Sequence, residues 1–168
     1  MILNPDANGM HTLTFEAPEE SGTIEITGVG TSPSYPGETF RGVLTINVGL
    51  GGLVSLPSGS EYTLIGQTAT HTDNHYGKPR MISSLQSVAL AFFQATGNVL
   101  EINDMSLVSG GLFDYQANWS RPHASHRFGL DADMRLVSPQ DRPLLRNIFQ
   151  SHSYMVIVEG NHWHVRLP

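Results

Sequence analysis

The sequence predicts an α+β fold: a short all-β module over residues 1–68, followed by a domain over residues 69–168 built on a small antiparallel sheet with two helices. A change of composition near residue 68 supports this division. The first part holds 11 of the 17 glycines and seven acidic residues against one basic residue, whereas the second part holds eight of each charge and seven of the eight histidines. The net charge of −6 therefore belongs to the first part, and with no basic stripe we expect no nucleic-acid binding.

The first module is predicted to be a small sheet or sandwich. Short runs of β-branched and apolar residues, separated by Pro, Gly and Ser, are typical of strands. They cover residues 12–15, 23–27, 42–48 and 62–65. No chemical motif lies in this module, so we expect it to be structural or to bind a partner.

Two helices and a hairpin are predicted in the second domain. Pro79 suits the first turn of a helix whose apolar residues recur at helical spacing, and Gly97 provides its end. A second helix is predicted to start at Ser138, as N-cap, with Pro139 in the first helical position. Residues 154–158 and 162–167 then form two strands joined by a turn at 159–161.

Two histidine-containing stretches of this domain predict a metal site. His126 and Asp133 lie seven residues apart, and His162 and His164 lie two residues apart. In a strand, residues two apart point to the same face about 6.5 Å from each other. The chain has no cysteine, so its metal ligands must be nitrogen and oxygen atoms. Taken singly, the first pair could also be a buried hydrogen-bonded pair, and the second an exposed edge strand.

These stretches resemble the lysostaphin and D-Ala-D-Ala metallopeptidase group, and most of all its penicillin-insensitive murein endopeptidase branch. The resemblance rests on S-H-x-x-G-L-D-x-D at residues 125–133, on H-x-H-V-R-L at residues 162–167, and on a D-x-S and Gly-Gly stretch at residues 104–111. It covers roughly residues 70–168. It implies that zinc is bound by His126, Asp133 and His164, and that His162 assists catalysis.

Glu159 is a departure from that branch, whose members carry a further histidine three positions before the His-x-His pair. A glutamate can also act as a base, so Glu159 is a second catalytic candidate, or else it caps a turn. The loops that shape the substrate groove in that branch are also missing here. The bond that is cleaved therefore stays open.

Further site candidates surround the two motifs. His123 is a further metal ligand, a hydrogen-bond partner that supports a ligating imidazole, or an ordinary loop histidine. The candidates for binding substrate are Arg121, Ser125, Arg127 and Arg166. For the arginines an ordinary ion pair is at least as good an interpretation, and for Arg166 the expected partner is Asp131. His71 and His75 could form a second metal site, although a polar loop that leads into the helix is the better interpretation.

The resemblance implies a zinc-dependent peptidase that hydrolyses peptide bonds in peptidoglycan, either as a cross-link endopeptidase or as a stem-peptide D,D-peptidase. The alternative is a non-catalytic, zinc-containing module that binds the cell wall or is structural. Peptidoglycan peptides are the expected partners, and a periplasmic or extracellular location follows from them. No signal peptide is visible, and the apolar runs are too short to span a bilayer. The sequence does not indicate an oligomeric state.

Overall fold

The fold is given by a computed structural model that describes residues 6–8, 10–32, 34–69, 71–112 and 125–168. Within these ranges the chain forms nine strands, two α-helices and one short 3-10 helix. In chain order they are β1 (Gly22–Ser32), β2 (Tyr35–Val48), β3 (Val54–Ser55), β4 (Tyr62–Leu64), β5 (Tyr76–Gly77), α1 (Pro79–Thr96), β6 (Leu100–Ile102), the 3-10 helix (His126–Phe128), β7 (Asp131–Arg135), α2 (Arg142–Ser151), β8 (Met155–Glu159) and β9 (His162–Arg166).

A five-stranded sheet in the order β4-β6-β7-β9-β8 is the centre of the molecule. Its pairings are antiparallel except for β4 with β6, which is parallel. The two helices cover its apolar face, and side chains from both layers form one buried core. The largest of these are Phe92 from α1, Phe149 from α2 and Trp163 from β9. The predicted α+β class with two helices is confirmed, and the sheet is mixed through β4.

Helix α1 follows its sequence signals closely. Pro79 occupies the first turn, and Gly97 ends the helix in the left-handed conformation with a φ of 73°. The N–H of Gly97 donates to the carbonyl of Phe93, which satisfies one of the free carbonyls at the helix end. Among the described residues, no helix has both the length and the apolar character needed to cross a membrane.

The predicted start of the second helix is wrong by three residues. Helix α2 begins at Arg142, with Asp141 as N-cap and Pro143 in its first turn. Ser138 Oγ instead donates to the Asp141 carboxylate at 2.6 Å, and residues 139–141 form a turn. Pro139 and Pro143 each suit the first turn of a helix. The hydrogen bond from Ser138 to Asp141 stabilises a turn before Arg142, so the helix begins with the second proline in its first turn.

The N-terminal part is a long two-stranded hairpin of β1 and β2. The predicted strand at residues 12–15 is wrong, because this exposed segment pairs with no described strand. The division of the chain near residue 68 stays a prediction. However, β4 lies on the N-terminal side of that division and pairs with β6, so a boundary at residue 68 divides the central sheet.

Candidate metal centre

The site lies on the polar face of β7 and β9, at the middle of the five-stranded sheet. In their antiparallel register Asp133 lies opposite His164, and Arg135 lies opposite His162. The alternate residues Ala132, Met134, Trp163 and Val165 are buried in the core on the other face. A shift of the strand pairing by one residue would bring Trp163 to the polar face. Burial of the apolar side chains therefore fixes the register that places the polar side chains opposite one another.

The segment of residues 103–106, directly after β6, holds His126 and Asp133 next to each other. The N–H of Asn103 donates to the carbonyl of Asp133, and the N–H of Asp133 donates to the carbonyl of Asp104 at 2.7 Å. The next carbonyl, that of Met105, accepts a bond from His126 Nδ1 at 2.8 Å. This segment contains the D-x-S stretch of the sequence, and its backbone positions both His126 and Asp133.

His126 is fully buried at the start of the 3-10 helix. A carbonyl can only accept, so Nδ1 carries the proton in the bond to Met105. In the neutral ring Nε2 then has the free electron pair, and it lies 3.4 Å from Asp133 Oδ1. A backbone carbonyl on the far nitrogen is the usual support for a metal-binding histidine.

Gly129 ends the 3-10 helix in the left-handed conformation, with a φ of 70°. A Cβ atom there would lie 2.5 Å from Leu53 Cδ2 and 3.1 Å from the backbone nitrogen of Lys78. The carbonyl of Gly129 accepts from the N–H of Lys78 at 2.8 Å. Only glycine allows this approach, which explains its place between His126 and Asp133.

His164 is bonded to carboxylates through both ring nitrogens. Nδ1 lies 2.8 Å from Asp133 Oδ1, and Nε2 lies 3.0 Å from Asp131 Oδ1. The hydrogen bonds to Asp131 and then to Asp133 raise the pKa of His164 to about 9, although partial burial acts in the opposite direction. Without a metal ion, the ring is therefore an imidazolium at neutral pH.

Arg166 pairs with Asp131, as its alternative interpretation predicted. Its Nε lies 3.0 Å from Asp131 Oδ1, and Asp131 is fully buried. One carboxylate thus receives both the Arg166 guanidinium and the His164 ring. Substrate binding by Arg166 stays a prediction, and it would have to compete with this buried partner.

One ligand atom from each of His126, Asp133 and His164 lies within 4.8 Å of the others. The two imidazole rings lie 5.3 Å apart between centroids and are nearly perpendicular. Two nitrogens and one carboxylate oxygen fit zinc, which commonly keeps three such ligands and one open position in a catalytic site. The donor set therefore fits this ion.

His162 lies beside this cluster. Its Nε2 is 3.7 Å from Asp133 Oδ2 and 3.5 Å from Glu159 Oε2, and its Nδ1 is 3.1 Å from Asn161 Oδ1. With the amide oxygen of Asn161 as acceptor, Nδ1 carries the proton and Nε2 is the basic nitrogen. A cavity of about 390 Å³ opens here, lined by His162 and Asp133 together with Gly66, Asn103, Asp104, Arg135 and Asn161.

Of the other predicted site residues that the structure describes, Arg127 and Ser125 do not line this cavity. Arg127 forms an ion pair with Glu19 at 3.2 Å and lines a different cavity on the hairpin side. Ser125 directly precedes the 3-10 helix. Arg121 and His123 lie outside the described residues. Substrate binding by these residues, and metal binding by His123, stay predictions.

His75 is a buried structural residue. Its Nε2 donates to the carbonyl of Ile102 at 3.2 Å, and its Nδ1 lies 3.5 Å from the amide of Gln67. The neighbouring Asn74 donates to Asp104 Oδ1 at 2.7 Å. This loop therefore supports the segment that positions the ligands, and His75 is not among the residues that line the cavity at His162.

Sequence patterns missed several residues that organise the site. The carbonyl of Met105, the Asp131 bond to His164 and the cavity position of Arg135 have no motif of their own. For Arg135 a signal was present, since it lies two residues after Asp133 on the same strand face. The carbonyl could not be found, because a backbone contact leaves no side-chain pattern.

Comparison with known proteins gives a family for the chain. No curated protein matches the sequence. The family model of the penicillin-insensitive murein endopeptidases matches residues 46–167, a range that includes every strand of the central sheet and both halves of the site. The chain therefore belongs to the penicillin-insensitive murein endopeptidase family, a family of metallopeptidases.

Proposed function

We propose that the protein is a zinc-dependent peptidase that hydrolyses peptide bonds in peptidoglycan, as a cross-link endopeptidase or as a stem-peptide D,D-peptidase. One observation carries this proposal: the ligand atoms of His126, Asp133 and His164 converge beside His162, in a chain of a murein endopeptidase family. Peptidoglycan lies outside the cytoplasmic membrane, so we infer a periplasmic or extracellular place of action.

The proposed zinc ligands are His126 Nε2, the Asp133 carboxylate and His164 Nδ1. The first nitrogen has the free electron pair because Nδ1 of the same ring donates to Met105. Nδ1 is the proposed ligand atom of His164 because it lies 2.8 Å from Asp133, whereas Nε2 is bonded to Asp131. When bound, a zinc ion of this kind acidifies a water molecule and polarises the carbonyl that is attacked.

His162 is the proposed general base. Its Nε2 is directed toward Asp133, and its Nδ1 is bonded to Asn161, so a proton from the attacking water can be taken at Nε2. Glu159 lies 3.5 Å from the same nitrogen, and its negative charge would stabilise the imidazolium that results. The proton can then be delivered to the leaving amine.

His162→Ala tests this assignment, with His152→Ala at the end of α2 as the control. Both variants should bind one zinc ion, and only His162→Ala should lose turnover of a cross-linked muropeptide dimer, by about 100-fold or more. Zinc content by elemental analysis and product release by chromatography give the two readouts. Full activity of His162→Ala would remove this residue from the mechanism. A zinc-loaded wild-type protein without turnover would favour the non-catalytic wall-binding alternative.

A further inference from the structure

Arg135 is the last residue of β7 and lies on the face of the sheet that carries the site. It follows Asp133 by two residues, so the two side chains leave the strand on the same side about 6.5 Å apart. Across the ladder its partner is His162. Its side chain lines the cavity of about 390 Å³ that also contains Asp133 and His162.

Among the described residues that line this cavity, Arg135 is the one lysine or arginine. Two of the arginines that the sequence offered for substrate binding have other partners, since Arg166 pairs with buried Asp131 and Arg127 pairs with Glu19 at a separate cavity. Among the described residues that line the cavity, Arg135 therefore carries the permanent positive charge, beside Asp133 and His162.

The acidic residues of the cavity do not cancel this charge. Asp104 is almost fully buried, and its two oxygens accept bonds from the amides of Asn74 and Asn103. Asp133 is a proposed metal ligand, so its charge is balanced when the ion is bound. Apart from the proposed metal ion itself, Arg135 is then the cationic group that a negative group would meet on the wall of this cavity.

The present partner of Arg135 is easily replaced. Its Nε lies 3.3 Å from Glu101 Oε2, and both side chains are largely exposed, at 69% and 49%. Exposed pairs of this kind contribute little to stability, because water solvates both charges well. A substrate carboxylate in the cavity can therefore displace Glu101 at little expense, and the planar guanidinium can bind it with two hydrogen bonds.

We propose that Arg135 forms a carboxylate-binding subsite beside the metal centre, and that the protein prefers peptides with a free carboxylate within about one residue of the bond that is cleaved. This inference rests on the proposed function. Stem peptides of peptidoglycan carry free carboxylates on branches and at their C-termini, so the subsite would distinguish free from amidated forms of the same peptide.

The test measures equilibrium binding by calorimetry with zinc-loaded His162→Ala protein, so that turnover does not consume the ligand. The probes are a cross-linked muropeptide dimer with free carboxylates and the same dimer with these groups converted to primary amides. We expect the free dimer to bind about tenfold more tightly than the amidated one. A further Arg135→Gln change should abolish this difference while the affinity for the amidated dimer stays the same.

Two further variants separate a charge effect from a folding effect. Glu101→Gln removes the competing carboxylate, so it should strengthen binding of the free dimer about twofold and leave the amidated dimer unaffected. Arg80→Gln, on the exposed surface of α1, is the matched control and should change neither affinity. Equal binding of the two dimers, or a preference that Arg135→Gln leaves intact, would overturn the subsite.

Turnover by the protein with His162 intact separates this inference from the proposed function. If the free dimer is cleaved, Arg135→Gln should raise the KM for it about tenfold and leave the KM for the amidated dimer unchanged. If neither dimer is cleaved but binding still depends on Arg135, the peptidase proposal fails and the carboxylate subsite stands.

Discussion

At the scale of single residues, the site depends on which ring nitrogen of each ligand histidine is hydrogen-bonded to the protein and which is left to bind the metal ion. The Met105 carbonyl fixes Nδ1 of His126, and buried Asp131 fixes Nε2 of His164. Asp131 is in turn held by Arg166 at 3.0 Å. Each ring is thereby oriented before a metal ion binds, which reduces the free energy needed to assemble the site.

Asp131→Asn should lower the zinc affinity about 10–100-fold, because the ring of His164 loses its charged acceptor. Competition with a chromophoric chelator measures this effect directly. Asp73→Asn, at an exposed carboxylate bonded to Tyr76, is the control and should leave the affinity unchanged. Equal zinc affinity in the wild type and Asp131→Asn would show that Asp131 does not orient the ligand.

The raised pKa of His164 gives a pH dependence. Its pKa in the folded, metal-free protein is about 9, against 6.5 as the ordinary value. The stabilisation of the metal-free fold by this charge is therefore complete below pH 6.5 and is lost as the pH rises through 9. Zinc must displace the same proton, so zinc affinity should rise with pH between 6.5 and 9.

Calorimetry of zinc binding in two buffers with different ionisation enthalpies counts the protons that are released. At pH 7.5 we expect release of about one proton per zinc ion from His164. His164→Ala provides the control, since it should bind zinc weakly and without this release. Zinc binding that releases no proton at pH 7.5 would contradict the charged state assigned to His164.

The sequence predicted the side chains of the site better than the hydrogen-bond partners that orient them. His126, Asp133, His162 and His164 converge because their strands have one polar and one apolar face, a pattern that the sequence displays. Arg135 lies on that polar face, but its place in the cavity depends on the surrounding loops. The role of Met105 depends on a carbonyl and could not be predicted from any side-chain pattern.

At the scale of elements, the short 3-10 helix and its glycine determine where His126 lies. Gly129 and Gly97 share the left-handed conformation, with φ of 70° and 73°. They differ in their surroundings, because a Cβ at Gly129 meets Leu53 Cδ2 at 2.5 Å, and a Cβ at Gly97 meets nothing within 4 Å. The two positions therefore form a matched pair.

Gly97→Ala should destabilise the protein by about 1–2 kcal/mol, the strain of a left-handed alanine. Gly129→Ala should lower the free energy of unfolding by about 1–3 kcal/mol more, because the new Cβ collides with Leu53, and it should also weaken zinc binding. Urea denaturation and zinc competition measure the two effects. Equal destabilisation by both changes would mean that packing around Gly129 adjusts and does not constrain His126.

Periodicity and end signals predicted α1 and the final hairpin, since one apolar stripe and one glycine stop agree there. The same signals misplaced the start of α2. Two N-cap and proline pairs occur there, Ser138 with Pro139 and Asp141 with Pro143, and the helix begins at the second. The Ser138 bond to Asp141 decides between them, and the sequence alone does not rank two such local bonds.

At the scale of the whole molecule, the central sheet extends beyond the predicted division near residue 68. β4 at Tyr62–Leu64 pairs with β6, and Leu56 and Tyr62 are buried in the common core. The family match begins at residue 46, before both of them. Parallel pairing across a long sequence separation has no local signal, so the sequence could not reveal that β4 joins this sheet.

Two truncated chains test where the folding unit begins. A chain that starts at residue 46 keeps every strand of the central sheet and should unfold cooperatively, with zinc affinity close to that of the full chain. A chain that starts at residue 69 loses β4, Leu56 and Tyr62, and should be destabilised by several kcal/mol or fail to fold. Circular dichroism during heating distinguishes the two. A stable, zinc-binding chain from residue 69 would support a division at residue 68.

We propose that this molecule hydrolyses peptide bonds of peptidoglycan with a metal ion held by His126, Asp133 and His164. Mass spectrometry of purified murein sacculi, incubated with zinc-loaded protein and with a chelated sample alongside, tests it most directly. We expect release of fragments that are cut within their peptides. This release should be lost on chelation and restored by added zinc, and the fragment masses would identify the bond. Intact sacculi in the presence of protein with confirmed bound zinc would contradict it.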